Sequence, residues 1–452
     1  MLDVVVLAAG KGTRMKSSLP KVLHPIGGKP MLGHVLDAAR QLNAEQLNVV
    51  IGHGSQSVVD QFVEDDISFC YQLEQLGTGH AVQQVIPKLR PNAVTLILYG
   101  DVPLIQVETL KKLIGAVDET SIGLLTVNLD NPKGYGRIVR DNNGDVRSIV
   151  EEKDASIEQR LITEGNTGVM ALLGKQLLEW LPKLNNENVQ KEYYLTDLIE
   201  IAQANSIKIK TQTATTEEEV LGVNNRQQQA QLERHYQQSR AEQIMIAGAT
   251  LLDPKRFDCR GNLTVGNDVI IDINCVFEGN VLLGDGVKIE ANCVIKNTTI
   301  GSGSVLKANT LCEDAVIGND CDLGPFARVR PGTVMANNTK LGNFVETKNV
   351  FIGEGSKVNH LTYIGDAKIG TSVNIGAGTI TCNYDGVNKH KTEIHDDAFI
   401  GSNSSLVAPI VIGKGATVGA GSTITSNVPD ANLSVTRAKQ RNLSDWKRPE
   451  KK

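Results

Sequence analysis

The stretch VIIDINCVFEGNVLLGDGVKIEANCVIKNTTIGSGSVLKANTLCEDAVIG, residues 269–318, decides the architecture of half of this 452-residue chain. One small apolar residue returns in it every six positions: Ile271, Phe277, Leu283, Ile289, Ile295, then Ile300, Leu306, Cys312, then Ile317. The beat starts at Val265 and runs on through Leu323, Val329, Met335, Leu341, Thr347, Ile352, Val358, Ile364, Ile369, Ile375 and Thr381. After a detour at 382–393 it resumes as Ile394, Ile400, Leu406, Ile412, Val418 and Ile424. At four joins (295 to 300, 312 to 317, 347 to 352, 364 to 369) the spacing drops to five, and every break falls on a multiple of three rungs. A helix repeats at 3.6 and a strand at 2, so neither explains a period of six. Hexads instead build a parallel β-helix, in which each forms one flat side of a coil and its ladder residue points inward. Three sides make a coil, a deletion is easiest at a corner, and the rungs predict about nine coils. Gly266, Gly284, Gly301, Gly318, Gly353 and Gly401 follow their rungs, as tight corners require. A β-sandwich supplies nothing that fixes a six-residue beat.

The rest of the chain alternates short apolar runs with amphipathic segments up to about residue 222. Strands are expected at 4–8, 47–51, 67–71, 94–98 and 122–127, and helices at 31–42, 58–63, 79–89 and 107–114. That alternation predicts a mainly parallel, doubly wound, Rossmann-like sheet with ligands beyond the carboxyl ends of its strands. Residues 225–246, rich in Gln, Arg, Ala and Glu without Gly or Pro, read as one exposed helix acting as a rigid spacer. Domains are expected at 1–224, 225–247 (linker) and 248–452.

A net charge of −5 gives no reason to expect a nucleic-acid partner. Seven cysteines without a CxxC pair read as free thiols packed in a reducing compartment. The apolar run at 2–9 is too short for a membrane span and has no basic flank or cleavage site, so a cytoplasmic protein without membrane attachment is expected.

The first strand ends in Leu7-Ala8-Ala9-Gly10-Lys11-Gly12-Thr13-Arg14-Met15, where small residues let backbone N–H groups approach an anion and Arg14 and Lys21 neutralise phosphate. It is neither a Walker A loop nor a complete GxGxxG. Asp101 follows a buried strand, a place for a helix cap or a Mg²⁺ ligand. Gly134-Tyr135-Gly136-Arg137 precedes a hairpin closed by Asn142-Asn143-Gly144. Glu151 sits in a Glu-Glu-Lys-Asp run that by itself reads as solvated surface. In the β-helix, polar exceptions cluster at Arg330, Glu346 to Lys348, His360, Tyr363, Asn374 and the detour's Asn383, Tyr384 and Lys389. Positions 330, 348, 360 and 374 are separated by roughly whole or partial coils, which predicts that they gather along one flank. A lone histidine is more often structural, yet its reference pKa of about 6.5 suits a base that takes a proton from an amine.

The LAAGKGTRM run at 7–15, Pro20-Lys21-Val22-Leu23, Gln75-Leu76-Gly77-Thr78-Gly79-His80-Ala81 and Tyr99-Gly100-Asp101 resemble the sugar nucleotidyltransferases. With the hexapeptide ladder attached, the whole chain resembles the bacterial bifunctional N-acetylglucosamine-1-phosphate uridyltransferase and glucosamine-1-phosphate acetyltransferase family. The resemblance implies a left-handed β-helix, a handedness that periodicity cannot show and that departs from the usual crossover rule. It implies a homotrimer with the second site between subunits, and Mg²⁺, UTP, acetyl-CoA and glucosamine-1-phosphate as small-molecule partners.

In the first site the resemblance sets Leu7, Ala8, Ala9 and Gly10 against the nucleotide, the catalytic cations Arg14 and Lys21 on the phosphates, and Gln72, Gly77 and Thr78 on uracil. Tyr99, Gly100 and Asp101 border the ribose and metal, Gly136, Glu151, Asn166 and Asn224 hold the sugar end, and Asp101 and Asn224 ligate Mg²⁺. In the second site His360 is the general base, and Arg330, Lys348 and Lys389 take the sugar phosphate. Tyr363, Asn374 and Glu346 line the acceptor sugar's place, while Ala377, Asn383, Tyr384, Ser402, Ala420 and Arg437 contact acetyl-CoA. A nucleotidyltransferase whose β-helix serves only for oligomerisation or regulation is the alternative.

Overall fold

The six-residue beat becomes three stacked columns of inward side chains in the computed structural model, which describes residues 1–451. One column runs Leu251, Ile271, Ile289, Leu306, Leu323, Leu341, Val358, Ile375, Ile400, Val418, Ser434, each rung hydrogen-bonded in parallel register to the next. The second runs from Cys259 and Phe277 through Ile295, Cys312, Val329, Thr347 and Ile364 to Thr381, Leu406 and Ile424. The third runs from Val265 and Leu283 through Ile300, Ile317, Met335, Ile352 and Ile369 to Ile394, Ile412 and Val428. All four five-residue joins, and the detour, fall at the one corner between the second and third columns. Every rung from Ile271 to Ile424 is buried, and Val265 is half-buried.

The coils extend beyond the beat at both ends. Leu251 and Cys259 complete a coil before Val265, but their spacing of eight hides them, because Asp253 caps a short 3-10 turn at Pro254–Arg256. Two positions before the rungs lies a second inward set of small residues, including Cys275, Cys293, Ser304, Ala315 and Cys321. Six of the seven thiols are therefore packing groups. Corners take left-handed residues, and Asp268, Asn274, Asn292 and Asn309 are of the types that do so at low cost, Asn274 donating to Asn292 one coil above at 3.0 Å. Phe326, Phe344 and Leu361 hold the same conformation at one corner with φ of 57°, 56° and 48°, an uncommon burden for bulky residues. They are exposed, and the rings of Phe326 and Phe344 stack at 5.3 Å.

The first half forms β1 (Leu2–Ala8), α1 (Met31–Gln41), β2 (Gln46–Ile51), α2 (Ser55–Gln61), β3 (Ile67–Tyr71), α3 (Thr78–Gln83), β4 (Val94–Tyr99), α4 (Val107–Gly115) and β5 (Ser121–Asn128). After these come the hairpin β6 (Arg137–Arg140) and β7 (Val146–Val150), β8 (Glu164–Leu173), α5 (Gly174–Trp180), α6 (Leu198–Ala204) and β9 (Lys208–Thr213). The main sheet order is β9-β5-β8-β4-β1-β2-β3, parallel except where β8 runs antiparallel to β4 and β5. Apolar clusters cover both faces, as a doubly wound sheet requires. The helix expected at 79–89 stops at Gln83, and a 3-10 turn containing Pro87 follows it.

The chain divides into two compact units, Met1–Tyr236 and Gln237–Lys452, within helix α7 (Arg226–Ile246). That helix is not the exposed spacer its composition suggests. Leu232 joins a core with Met15, Ile26, Met31 and Val223, while Ala241 and Ile244 join the β-helix core. Gln237 is buried and its amide pairs both ways with the backbone of Cys259, at 3.0 and 2.7 Å, covering an open strand edge. Only four positions of the helix are buried, Leu232, Gln237, Ala241 and Ile244, spaced five, four and three apart, and they leave no heptad to detect.

Candidate active sites

β1 lies between β2 and β4, so the chain departs to opposite sides of it and leaves a crevice at its carboxyl end. The loop after β1 and Asp101 after β4 both enter that crevice, and Gly100 N donates to Leu7 O at 2.9 Å to join them. Gly12 is left-handed (φ 58°), and a Cβ there would stand 2.8 Å from the Lys21 side chain. The Lys21 ammonium pairs with the Asp101 carboxylate and lies 3.3 Å from Asn224 Oδ1; Arg14 donates to the same Asn224 oxygen at 3.0 Å. Two cations and two oxygen ligands thus converge on one point.

Two hard oxygens already gathered on a cation fit Mg²⁺, which takes one or two protein oxygens and completes its shell with phosphate and water. Among the described residues no cluster of three or more His, Cys, Asp or Glu could hold a metal by itself.

Around this point a cleft of about 560 Å³ is lined by Thr78, Tyr99, Gly136, Glu151 and Asn166 together with Arg14, Asp101 and Asn224. Burial pushes the Tyr99 phenol well above its ordinary range, and the charges of Asp101 and Glu151 add to this. It stays a neutral hydroxyl. Gly168, left-handed at φ 81°, leaves room for that hydroxyl, which a Cβ would meet at 2.6 Å. Asn166 N donates to Gly136 O at 2.8 Å, and its Oδ1 accepts from Gly168 N at 3.0 Å. Glu151 is not the solvated residue its charged run suggests: burial, then Asp154, raises its carboxyl. The side chains of Leu7, Ala8 and Ala9 belong to the cores, so only their backbone faces the crevice, while Gly10 is open. Gln72 donates to Gly77 O at 3.1 Å but lines a separate hollow of about 170 Å³ with His53, Tyr71 and Gln75. Sequence reasoning missed Tyr135, Tyr194 and Thr196 on the cleft wall; the Tyr193-Tyr194 pair outside any periodic run was the available signal.

Near Tyr194 and Thr196, Asp197 is pushed up to about 6 by burial first, then by Glu200 and Glu151. Its native form holds a proton that the unfolded chain releases near 3.8, so it contributes a growing penalty as pH rises from about 4 to about 6. Asp197→Asn is therefore expected to raise the melting temperature at pH 7.5 and leave it unchanged at pH 4, read by thermal unfolding at the two pH values.

The second set of residues is ordered by the coil. His360, Ala377, Ser402 and Ala420 each stand two positions after a rung of the first column, so they follow one edge in successive coils about 4.8 Å apart. Backbone bonds link that edge: Gly378 N to His360 O, Asn403 N to Ala377 O and Gly421 N to Ser402 O. Arg437 ends it, donating to Ala420 O at 2.6 Å. His360 Nδ1 lies 2.5 Å from Asn343 Oδ1, one coil below. With Nδ1 donating to that oxygen, Nε2 keeps its lone pair.

On the second face, Arg330 and Lys348 stand on adjacent coils, Glu346 pairs with Arg330 at 2.7 Å, and Tyr363 is the register partner of Glu346. Contact with Lys389, then the charge of Arg330, holds the Lys348 ammonium below its ordinary range, so three cations share one place. The detour is a small hairpin bridged by Tyr384 and Lys389. The expected gathering along one flank is corrected here. A step of 12 from Lys348 to His360 is two thirds of a coil, so His360 turns onto an edge, and Asn374 lies outward on the neighbouring face.

Comparison with known proteins agrees with both halves. Residues 4–194 match the MobA-like NTP transferase domain, 259–346 the GMPPB C-terminal domain, and 391–426 the bacterial transferase hexapeptide of six repeats. Proteins called bifunctional protein GlmU from Cellvibrio japonicus and Saccharophagus degradans are 62% and 59% identical over 452 residues, all of both chains. The Pseudomonas fluorescens relative is 58% identical over 450 residues, all of this chain and 99% of its own. A solved putative glucose-1-phosphate thymidylyltransferase from Bacillus anthracis, in complex with a sucrose, covers 52% of this chain and 96% of its own at 15% identity and TM-score 0.41.

Proposed function

We infer the function from the premise that this chain belongs to the family of bifunctional GlmU proteins. It is a bifunctional enzyme of UDP-N-acetylglucosamine synthesis, a uridylyltransferase and an acetyltransferase. The edge from His360 to Arg437 carries the acetyl-transfer reading, because an extended cofactor fits a straight row of small side chains that ends in a cation. Acetyl-CoA lies along Ala377, Ser402 and Ala420, with Asn383 and Tyr384 beside it and Arg437 at its anionic end. Arg330, Lys348 and Lys389 hold the sugar phosphate on the next face, with Tyr363, Glu346 and Asn374 around the sugar. His360 Nε2 takes a proton from the amine of glucosamine-1-phosphate as the nitrogen attacks the thioester carbonyl. The C–S bond breaks, and the sulfur leaves as the thiol with the proton that His360 took up.

In the first site an oxygen of N-acetylglucosamine-1-phosphate attacks the α-phosphorus of UTP and pyrophosphate leaves. Both reactants are anions, so positioning and neutralisation by Arg14 and Lys21 are what this chain adds. Glu151, Asn166 and the Gly136 backbone orient the sugar; Gln72, Gly77 and Thr78 take the base, and Tyr99, Gly100 and Asp101 the ribose, with the backbone of Leu7, Ala8, Ala9 and Gly10 beneath. Mg²⁺, held by Asp101 and Asn224, supplies further neutralisation of the phosphates when bound.

A homotrimer completes the second site. The exposed stripe of Phe326, Phe344 and Leu361 beside His360 suits a neighbouring copy, and Asn374, turned away from Lys348, faces another chain's site. No described helix is long and apolar enough to cross a membrane, and the cytoplasm, where these substrates are available, is the proposed location. Release of free thiol from acetyl-CoA, with glucosamine-1-phosphate and no UTP, tests the reading. Thiol release that depends on the sugar phosphate is expected, and its absence from folded protein would leave a nucleotidyltransferase on a β-helical support.

A further inference from the structure

We propose that Asp366 is a positioning residue for acetyl transfer, clamping the base of the 382–393 detour so that Asn383, Tyr384 and Lys389 stand beside Lys348. The proposal rests on the acetyl-transfer reading of the second site. Asp366 occupies the corner between the second and third columns in a left-handed conformation (φ 47°), and its carboxylate is buried. One oxygen accepts from the Asn349 amide at 2.6 Å and the other from the Asn383 amide at 2.5 Å, each partner 17 residues away, one coil below and one above. No described residue forms an ion pair with it, so the two amides and the more distant Lys348 are what satisfies a buried carboxylate.

The upper bond is the one with functional reach. Asn383 begins the detour, and its carbonyl accepts from His390 N at 2.8 Å, so a fixed Asn383 fixes both strands of the hairpin. Between them Tyr384 and Lys389 form the bridge that brings Lys389 to Lys348. Asp366 is the negative charge that partly offsets Lys389 and Arg330 at Lys348. Gly365 completes the arrangement: a Cβ there would lie 2.3 Å from the Tyr363 hydroxyl and 2.9 Å from the Asn383 amide.

The same corner contains its own control. Three coils below, Asn297 donates to Asp314 at 3.0 Å in the same kind of ladder, with no detour above it. If corner ladders serve only the coil, Asp314→Asn and Asp366→Asn behave alike; asparagine accepts the left-handed conformation at both.

Both variants of the full chain are assayed for thiol release and for pyrophosphate release, and amide exchange is followed across 383–390. Asp366→Asn is expected to lower kcat/KM for acetyl transfer about 10–100-fold, the scale of losing a hydrogen bond to a charged group. Exchange across the detour should rise about tenfold, and uridylyl transfer should be unchanged. Asp314→Asn should change none of these. On an Asn383→Ala background, adding Asp366→Asn should cost less than about twofold, because a residue acting through Asn383 has nothing left to position. Wild-type kinetics in Asp366→Asn, or its full effect persisting without Asn383, overturns the proposal. Absence of thiol release from the wild type overturns the acetyl-transfer reading itself. Asp366→Ser serves the same comparison if the asparagine variant fails to fold.

Discussion

His360→Ala is expected to lower acetyl transfer by about 10²–10⁴-fold while uridylyl transfer continues at the wild-type rate. The amine of glucosamine-1-phosphate cannot attack a thioester while protonated, and once it attacks it must lose a further proton. Among the residues of the edge that runs to Arg437, His360 is the one whose side chain offers a nitrogen lone pair to take that proton. Its ring is oriented by Asn343, so Nε2 is presented with its lone pair available. Alanine removes the base and keeps the coil, because His360 lies two positions outside the rung Val358 and its side chain fills no core space. Thiol and pyrophosphate release, followed in separate assays of the same preparation, distinguish this from general damage. Loss of both activities would contradict independent sites.

Asp101→Ala should do the reverse, lowering uridylyl transfer on the order of 10²–10³-fold, the usual cost of removing a preorganised electrostatic group, and sparing thiol release. Asp101 and Asn224 present the two oxygens that meet the Lys21 ammonium. Without the carboxylate, Lys21 and Arg14 remain as an unopposed pair of cations, so substrate anions still bind. The loss should therefore appear chiefly in kcat, with KM for UTP changed less. Steady-state kinetics of pyrophosphate release at several Mg²⁺ concentrations provides the check. An unchanged kcat with a raised KM would place Asp101 in ground-state binding alone.

The two halves were legible to different degrees for physical reasons. A β-helix must place one inward side chain on every flat side, so its period is written at each rung, and the strand register agrees with the beat from Ile271 to Ile424. The beat failed where the chain leaves the hexad, at the Asp253 cap before Cys259 and after Ile424, where Val428 follows at a spacing of four. Position along an edge is less legible than position in the core: Lys348, His360 and Asn374 differ by fractions of a coil that a count of residues does not resolve into faces. Glu151 shows the same limit in the sheet, since a run of charges looks solvated until the hairpin β6–β7 folds it against Gly136. Asp366 had no signal of its own, because nothing in the sequence marks which oxygen of a corner carboxylate reaches into a detour. Helix α7 hid its packing because Leu232, Ala241 and Ile244 serve two different cores.

One chain performs two chemistries in sequence, and a single reaction mixture separates this from one chemistry alone. Glucosamine-1-phosphate, acetyl-CoA, UTP and Mg²⁺ are supplied together, and free thiol and pyrophosphate are followed in time. The account predicts thiol release without delay and pyrophosphate release after a lag, with no pyrophosphate when acetyl-CoA is omitted. Pyrophosphate formed at the same rate without acetyl-CoA, or formed while no thiol appears, would contradict it.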